Sequence, residues 1–302
     1  EAVALITADG FARRGKPVPM KEYADEAVRL SPSVRHVVVH RYTGVSVPWS
    51  AGRDHAWDEL VARESADCPA EVTSAEDPHM IIYTSGTTGR PKGTVHVHGG
   101  FPIKGTTDMA YGFDIGERDV MFWLTDLGWM MGPWEIIGVL MLGATMVLFD
   151  GAIDHPEPDR LWDLVDRHKV TTLGISPTAV RALMRYGDEY PRRHDFSSLR
   201  LLGSTGEPWN PEPWMWLFEQ VGRRRCPIMN YTGGTEIAGG ILGCTVLHPQ
   251  KPMVFTGPVL GMDVDVYDEN GQPERGAVGE LVVRQPWPGM TRGFWRDPER
   301  YL

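Results

Sequence analysis

Short runs of apolar and β-branched residues recur along the chain and are bounded by glycine, proline and polar residues. They predict buried strands at 34–42, 80–85, 146–150, 171–176, 199–204 and 227–232. Between them, the apolar positions of 159–169 recur at helical spacing, and 177–187 begins with proline and ends with glycine, as helices often do. This alternation of strands and helices predicts an α/β fold of layered, mostly parallel sheets with flanking helices.

The pattern changes from about residue 251 onwards. Residues 263–284 alternate apolar and polar positions, and they carry Asn270-Gly271, a pair typical of turns between antiparallel strands. We therefore predict an α/β body over 1–250 and a small antiparallel, β-barrel-like section over 251–302. The chain starts at Glu1 without an initiator methionine, and 297–300 has the composition of a helix start, so we expect both parts to be incomplete.

Composition excludes several function classes. The 302 residues are 42% hydrophobic and 23% charged, which is ordinary for a globular protein. A net charge of -10 argues against a surface that coats nucleic acid, and the longest apolar run, 136–149, is interrupted by glycines and too short to span a membrane. Three widely spaced cysteines predict neither a disulfide framework nor a paired-cysteine metal site, which favours a reducing cytoplasm.

One segment carries the strongest chemical signal. Residues 83–93 read YTSGTTGRPKG, in which small hydroxyl residues and glycines precede a lysine. Glycine amides in a turn form a concavity that binds anions, and Lys92 adds a positive charge, so a polyphosphate is the expected ligand. The spacing is not that of a P-loop NTPase, because Lys92 is followed by Gly93 instead of serine or threonine. A plain surface turn is the alternative.

This segment closely resembles the phosphate loop of the adenylate-forming superfamily, which includes acyl-CoA synthetases, luciferases and peptide-synthetase adenylation domains. Residues 230–240 resemble the superfamily's aromatic–Gly–x–Thr–Glu motif. Further segments resemble its acetyl-CoA-synthetase branch: 51–61, 126–134, 202–212, 279–284 and 286–302. Several such motifs in the right order make the resemblance stronger than one motif would. The resemblance implies the large domain of that fold. It also implies ATP-dependent activation of a small carboxylic acid to an acyl-adenylate, followed by transfer to coenzyme A, with Mg²⁺ as the metal.

The resemblance assigns roles to individual residues. It implies that ATP phosphates lie at Thr84, Ser85, Gly86, Thr87, Thr88, Gly89 and Lys92, and adenine beside Gly206, Glu207 and Pro208. Nucleotide contacts are further implied at Asn230, Tyr231, Thr232, Gly233, Gly234 and Thr235. Thr235, Glu236 and Lys92 are the expected catalytic residues, with Glu236 the Mg²⁺ ligand. Many relatives stack an aromatic ring on adenine where this chain has Thr232, so either Tyr231 supplies the ring or the stack is lost.

The same resemblance implies an acyl pocket formed by Trp129, Met130, Met131, Thr205 and Gly233, with His96 near it. In acetate-specific members a tryptophan closes this pocket at the position of Gly233. Replacing an indole by hydrogen predicts extra space, although flexible methionines can refill such gaps. We therefore expect an acid larger than acetate, and an acetate-specific acetyl-CoA synthetase is the alternative.

The expected substrates are a small carboxylic acid, ATP and coenzyme A, with no nucleic-acid partner and no membrane span. The acyl group could instead pass to a carrier protein or a reductase domain. A protein that binds ATP or AMP without catalysis is a hypothesis of a different class. The superfamily's Thr-Gly-Asp motif and its C-terminal domain with a catalytic lysine do not occur in this chain. We therefore expect the chain alone to be nearly inactive.

Overall fold

The computed structural model describes residues 2–84 and 90–302, which separate into two units. The first unit comprises the chain up to Val72 together with Phe149–Arg160. The second comprises Thr73–Leu148 and Leu161–Leu302. The predicted boundary near residue 250 divides the chain differently and stays a prediction.

The first unit is built around a parallel sheet in which β4 (His36–His40) lies between β1 (Ala4–Ala8) and β5 (Asp54–Ala56). Alternate residues of β4, Val37 and Val39, are buried together with Val28 of helix α1 (Met20–Arg29). Burial of these side chains packs the helix against the sheet. The elements are β1 (Ala4–Ala8), β2 (Phe11–Arg13), β3 (Lys16–Val18), α1 (Met20–Arg29), β4 (His36–His40), β5 (Asp54–Ala56) and α2 (Trp57–Val61).

The second unit holds the residues to which sequence analysis assigns chemistry. Its strands are β6 (Pro78–Thr84), β7 (Lys92–Val97), β8 (Val120–Trp123), β9 (Thr145–Met146), β10 (Thr172–Gly174), β11 (Leu201–Ser204), β12 (Ile228–Gly234), β13 (Gly239–Gly243), β14 (Gly257–Pro258), β15 (Val264–Tyr267) and β16 (Glu280–Val283). Its helices are α3 (Phe101–Thr107), α4 (Met131–Met141), α5 (Arg160–Arg167, of which the first residue belongs to the first unit), α6 (Pro177–Met184), α7 (Glu189–Arg192), α8 (Pro211–Trp216) and α9 (Pro298–Tyr301). A wider helical turn continues α3 over Asp108–Gly112 and α8 over Leu217–Val221, and a single 3₁₀ turn, Thr235–Ile237, follows β12.

The main sheet has seven strands in the order β14-β13-β12-β11-β10-β8-β9. The strands from β12 to β9 pair in parallel, whereas β13 and β14 are antiparallel additions at one edge. The predicted α/β fold with a mostly parallel sheet is confirmed. In the region from residue 251, β15 and β16 pair antiparallel as predicted, and the described strands there do not close into a barrel.

Local predictions were confirmed at the helices and wrong at one strand. Helix α6 starts where proline predicted it, and the Ser176 side chain accepts a hydrogen bond from the Ala179 amide at its N-terminus. The predicted strand at 146–150 shrinks to β9, which pairs with β8 over two residues. After Val147 donates one further bond to Met121, the chain leaves this sheet and enters the first unit at Phe149.

Aromatic side chains form the core beneath the main sheet. Trp123 and Trp134 lie with ring centroids 5.3 Å apart, and Phe113 contacts both edge-on at 5.5 and 5.7 Å. Such edge-to-face pairs add specific geometry to apolar burial. Among the helices of the described ranges, none has the length and apolar character needed to cross a membrane.

Candidate active site

The predicted site residues cluster at one edge of the main sheet. Strands β10, β11 and β12 are parallel, so their carboxyl ends, at Gly174, Ser204 and Gly234, lie at the same edge. Ligands of open α/β sheets bind outside this edge, where the loops converge. The start of α6, the segment 205–208 and the turn Thr235–Ile237 follow these three strand ends.

An ion pair joins two of the predicted catalytic residues. Lys92 Nζ contacts Glu236 Oε1, and the two side chains are 24% and 30% exposed. Lys92 begins β7 and Glu236 lies in the turn after β12, so the pair links the phosphate-loop segment to the edge of the main sheet. The cation also lies 5.1 Å from the centroid of the Phe294 ring, a distance suited to cation–π attraction.

The described ends of the predicted phosphate loop form an antiparallel stem. Thr84, the last residue of β6, pairs directly with Lys92 in the β6/β7 ladder. The Thr84 Oγ1 atom is buried and has no hydrogen-bond partner among the described residues, which suits an anionic oxygen at this point. The predictions for Ser85, Gly86, Thr87, Thr88 and Gly89 concern residues outside the described ranges.

A buried histidine lies beside the turn that carries Thr235 and Glu236. His96 of β7 is 1% exposed, and its ring lies 5.0 Å from that of Phe101. Neither ring nitrogen makes a hydrogen bond of good geometry in the part of the chain that the structure describes, although the Thr235 backbone lies close to the ring. Burial lowers the pKa of His96 to about 4, although the backbone of Thr235 partly offsets the effect, so the imidazole is neutral near pH 7.

The segment predicted to border adenine, 206–208, is hydrogen-bonded to helix α6. The Glu207 carboxylate accepts hydrogen bonds from the Thr178 amide at 2.9 Å, from its hydroxyl at 2.7 Å and from Arg181 at 2.7 Å. Partial burial raises the pKa of Glu207, but these donors outweigh it and the net pKa lies below the ordinary value. Gly206 has φ +95°, a conformation that favours glycine, and together with Pro208 it is exposed at this edge.

Tyr231 and Asn230 lie deeper than the resemblance implies. Tyr231 is 5% exposed, donates a hydrogen bond from its hydroxyl to Asp108, and packs its ring 5.4 Å from that of Phe113. The option that Tyr231 stacks on adenine therefore does not fit its position in the core. Asn230 is also buried, so these two residues offer a nucleotide little of their side chains, whereas Thr232 is half-buried.

The predicted acyl-pocket residues differ widely in exposure. Met130 is buried in the aromatic core, and Met131 at the start of α4 packs partly against it. Trp129 is 67% exposed, and Thr205 is half-buried.

At Gly233, main-chain atoms of the neighbouring strand occupy the position that a side chain would take. A Cβ atom added there would lie 1.8 Å from the carbonyl oxygen of Gly239 in β13. The expected extra space at Gly233 is therefore occupied, in the Cβ direction, by the neighbouring strand. The expectation of an acid larger than acetate stays a prediction.

The donor set suits a metal–nucleotide complex better than a metal alone. No group of three or more histidine, cysteine, aspartate or glutamate side chains converges within residues 2–84 and 90–302. Mg²⁺ is commonly bound by one or two carboxylates plus substrate phosphates, and Glu236 offers such a carboxylate beside Lys92. Sequence analysis missed the supports of these groups, Thr178, Arg181 and Phe294, because no local pattern reports contacts between distant segments.

Comparison with known proteins defines the class to which this fold and site belong. The sequence matches the family described as AMP-binding enzyme over residues 1–295. The chain belongs to this family.

Individual relatives narrow the comparison. Acetyl-coenzyme A synthetase of Methanothrix thermoacetophila is 41% identical over 304 residues, which cover 100% of this chain and 46% of that protein. Acetyl-coenzyme A synthetase of Syntrophus aciditrophicus is 45% identical over 305 residues, covering 99% of this chain and 46% of that protein. The solved structure of acetoacetyl-CoA synthetase from Streptomyces lividans superposes with a TM-score of 0.88 at 31% identity, covering 98% of this chain and 46% of that one. The chain thus spans about half the length of these relatives.

Proposed function

We propose that the protein containing this chain is an AMP-forming acyl-CoA synthetase. In the first step a carboxylate oxygen attacks the α-phosphorus of ATP, which gives acyl-AMP and releases pyrophosphate. In the second step the thiol of coenzyme A attacks the acyl carbon, which gives the thioester and releases AMP. The observation that carries the proposal is the Lys92–Glu236 pair beside Thr235, at the sheet edge where ligands of this fold class bind.

The chemistry of the first step explains why these residue types are needed. Attack of one anion on another requires cations and oriented donors near the developing charge. Lys92 would hold the β- and γ-phosphates, and Thr235 would donate its hydroxyl to an α-phosphate oxygen. Mg²⁺, held by Glu236 and phosphate oxygens, would offset charge on the transferring group. Gly206 and Pro208 would border the adenine ring.

Acetate is the first candidate for the acid. The relatives covered by this chain include proteins named acetyl-coenzyme A synthetase at 41–45% identity. The Gly239 carbonyl oxygen lies where a side chain at Gly233 would begin, and Met130 and Met131 lie just before α4 and at its first position. A longer acid such as acetoacetate is the second candidate, favoured by the solved acetoacetyl-CoA synthetase with TM-score 0.88.

Coenzyme A is the proposed acyl acceptor, and the cytoplasm is the proposed compartment. The test is to incubate the natural full-length protein with ATP, Mg²⁺ and acetate, and then to add coenzyme A or a pantetheine-bearing carrier protein. Mass spectrometry would detect the thioester. Acetyl-CoA formation supports the proposal, transfer only to the carrier protein favours the alternative acceptor, and bound ATP without any acyl-AMP favours a non-catalytic nucleotide-binding protein.

A further inference from the structure

The segment 287–300, which we name the strap, contacts the turn that carries Glu236. The amide of Thr291 donates to the carbonyl oxygen of Glu236 at 3.0 Å. The indole Nε1 of Trp287 donates to the carbonyl oxygen of Ile237 at 2.8 Å. Two successive carbonyl groups of the turn are therefore hydrogen-bonded to one segment, which restricts the orientation of the intervening peptide.

The same strap also pairs with the strand that begins at Lys92. The Val95 amide donates to Gly293 and the Trp295 amide to Gly93, at 3.0 and 2.7 Å. The buried Thr291 hydroxyl donates to the carbonyl of Val95 at 2.8 Å, on the strand that carries Lys92. Thr291 therefore bonds directly to both sides of the Lys92–Glu236 pair.

Arg300 in α9 extends this contact beyond the start of β7. Its guanidinium donates to the carbonyl oxygen of Arg90 at 2.8 Å and to that of Pro91 at 3.4 Å. These two residues directly precede Lys92 in the chain. A charged, forked donor on neutral carbonyls makes stronger hydrogen bonds than a neutral group would, so Arg300 restrains the backbone that leads to Lys92.

We propose that the strap positions Lys92 and Glu236 relative to each other, with Trp287 and Arg300 as its positioning residues. This inference rests on the proposed function for its kinetic consequence, though not for its structural one. Neither residue needs to touch the substrates. Trp287 sets the Glu236 side of the pair, and Arg300 sets the Lys92 side.

The structural consequence is tested by hydrogen–deuterium exchange on the natural full-length protein. Arg300→Gln removes the guanidinium, and Trp287→Phe removes the indole donor while keeping an aromatic ring. Arg275→Gln is the matched control, since Arg275 pairs with Asp265 away from the strap. We expect faster exchange in peptides covering 90–97 for Arg300→Gln and in peptides covering 234–240 for Trp287→Phe, with no change for Arg275→Gln.

Unchanged exchange in both peptides would overturn the inference. Peptides from β10 and α6 serve as internal references. If exchange rises there too in Arg300→Gln, that variant has lost its fold, and the milder Trp287→Phe decides the outcome alone. Hydrogen–deuterium exchange does not depend on enzymatic activity, so it tests the positioning role of the strap even if the proposed function is wrong.

The kinetic consequence separates positioning from general damage. We expect Arg300→Gln to raise KM for ATP about tenfold, the loss expected for hydrogen bonds from a charged donor, and to leave KM for the acid within about twofold. Arg300→Lys, which keeps a positive charge and a shorter donor, should recover part of this effect. Equal rises in both KM values would contradict the inference. If the unmodified protein showed no carboxylate-dependent ATP–pyrophosphate exchange, that result would count against the proposed function instead.

Discussion

Lys92 and Glu236 form an ion pair although the lysine belongs to the two-stranded β6/β7 sheet and the glutamate follows a strand of the main sheet. The lysine begins β7, and the glutamate lies in the turn after β12. In the proposed reaction each member has a separate ligand: the phosphates of ATP are anionic and need the lysine, and the metal ion needs the carboxylate. When the metal–nucleotide complex binds, the direct contact between the two side chains should therefore be lost. The phosphates would then contact Lys92 and the metal ion would contact Glu236.

The first prediction concerns Glu236→Gln. Removing the carboxylate should reduce ATP–pyrophosphate exchange about 100-fold or more and raise the Mg²⁺ concentration needed for half-maximal rate, because the metal loses its charged protein ligand. The free energy of unfolding should change by less than about 1 kcal/mol, because the pair is partly exposed. Glu219→Gln, which breaks the ion pair between Glu219 and Arg224, is the control. Retention of exchange within about threefold would remove Glu236 from the mechanism.

The second prediction concerns Gly233→Ala. The added methyl group would meet the Gly239 carbonyl oxygen at 1.8 Å, so β12 and β13 would have to move apart. We expect a loss of about 1–3 kcal/mol in the free energy of unfolding, typical of overpacking, measured by chemical denaturation. Gly257→Ala is a matched control, because a Cβ atom there has no neighbour within 4 Å. Equal stability of the two variants would show that the strands are not in close contact at Gly233.

The third prediction concerns Tyr231→Phe. Removing the hydroxyl takes one donor from the buried Asp108 carboxylate, which also accepts from Lys104 and from the Gly240 amide. We expect a loss of about 1–3 kcal/mol in the free energy of unfolding, and an unchanged Kd for ATP. Tyr111→Phe, at an exposed position just after Asp108 in the chain, should change stability by less than about 0.5 kcal/mol. A variant as stable as the unmodified protein would contradict the hydrogen bond to Asp108.

The fourth prediction concerns pH. Burial lowers the pKa of His96 from its ordinary value of 6.5 to about 4, so the unfolded chain takes up this proton first as the pH falls. The contribution of His96 to stability is complete above pH 6.5 and is lost progressively towards pH 4, amounting to about 3 kcal/mol. His96→Leu should flatten the stability curve in this window. His168→Gln, at an exposed position on the chain, is the control. An unaltered slope in His96→Leu would contradict the buried, neutral imidazole.

Much of the fold was predictable because the signals were local. Helix α6 was predicted from Pro177 at its start, and β11 and β12 were predicted from apolar runs bounded by polar residues. The strand at 146–150 failed because an apolar run does not indicate which sheet it joins. Here only Thr145–Met146 pairs, and the chain then crosses to the other unit.

The sequence motifs predicted which residues form the site, but not the contacts that these residues make. The resemblance identified Lys92, Glu207 and Glu236, but their contacts come from distant segments. Phe294 contacts Lys92, Thr178 donates to Glu207, and the Thr291 amide donates to the main chain of Glu236. The orientation of Tyr231 depends on Asp108, and no spacing in the sequence reports that contact. The contact that a Cβ atom at Gly233 would make was not predictable for the same reason, since the Gly239 carbonyl belongs to the next strand.

Carboxylate-dependent ATP–pyrophosphate exchange by the natural full-length protein is the most direct test of the proposed function. The panel should run from acetate through acetoacetate to branched, aromatic and medium-chain acids, with Glu236→Gln as the inactive reference. We predict exchange that requires an acid, is highest with acetate and falls about 100-fold or more in the variant. Measurable ATP binding with no exchange for any acid would contradict the synthetase proposal, and a maximum at a longer acid would contradict the assignment of acetate.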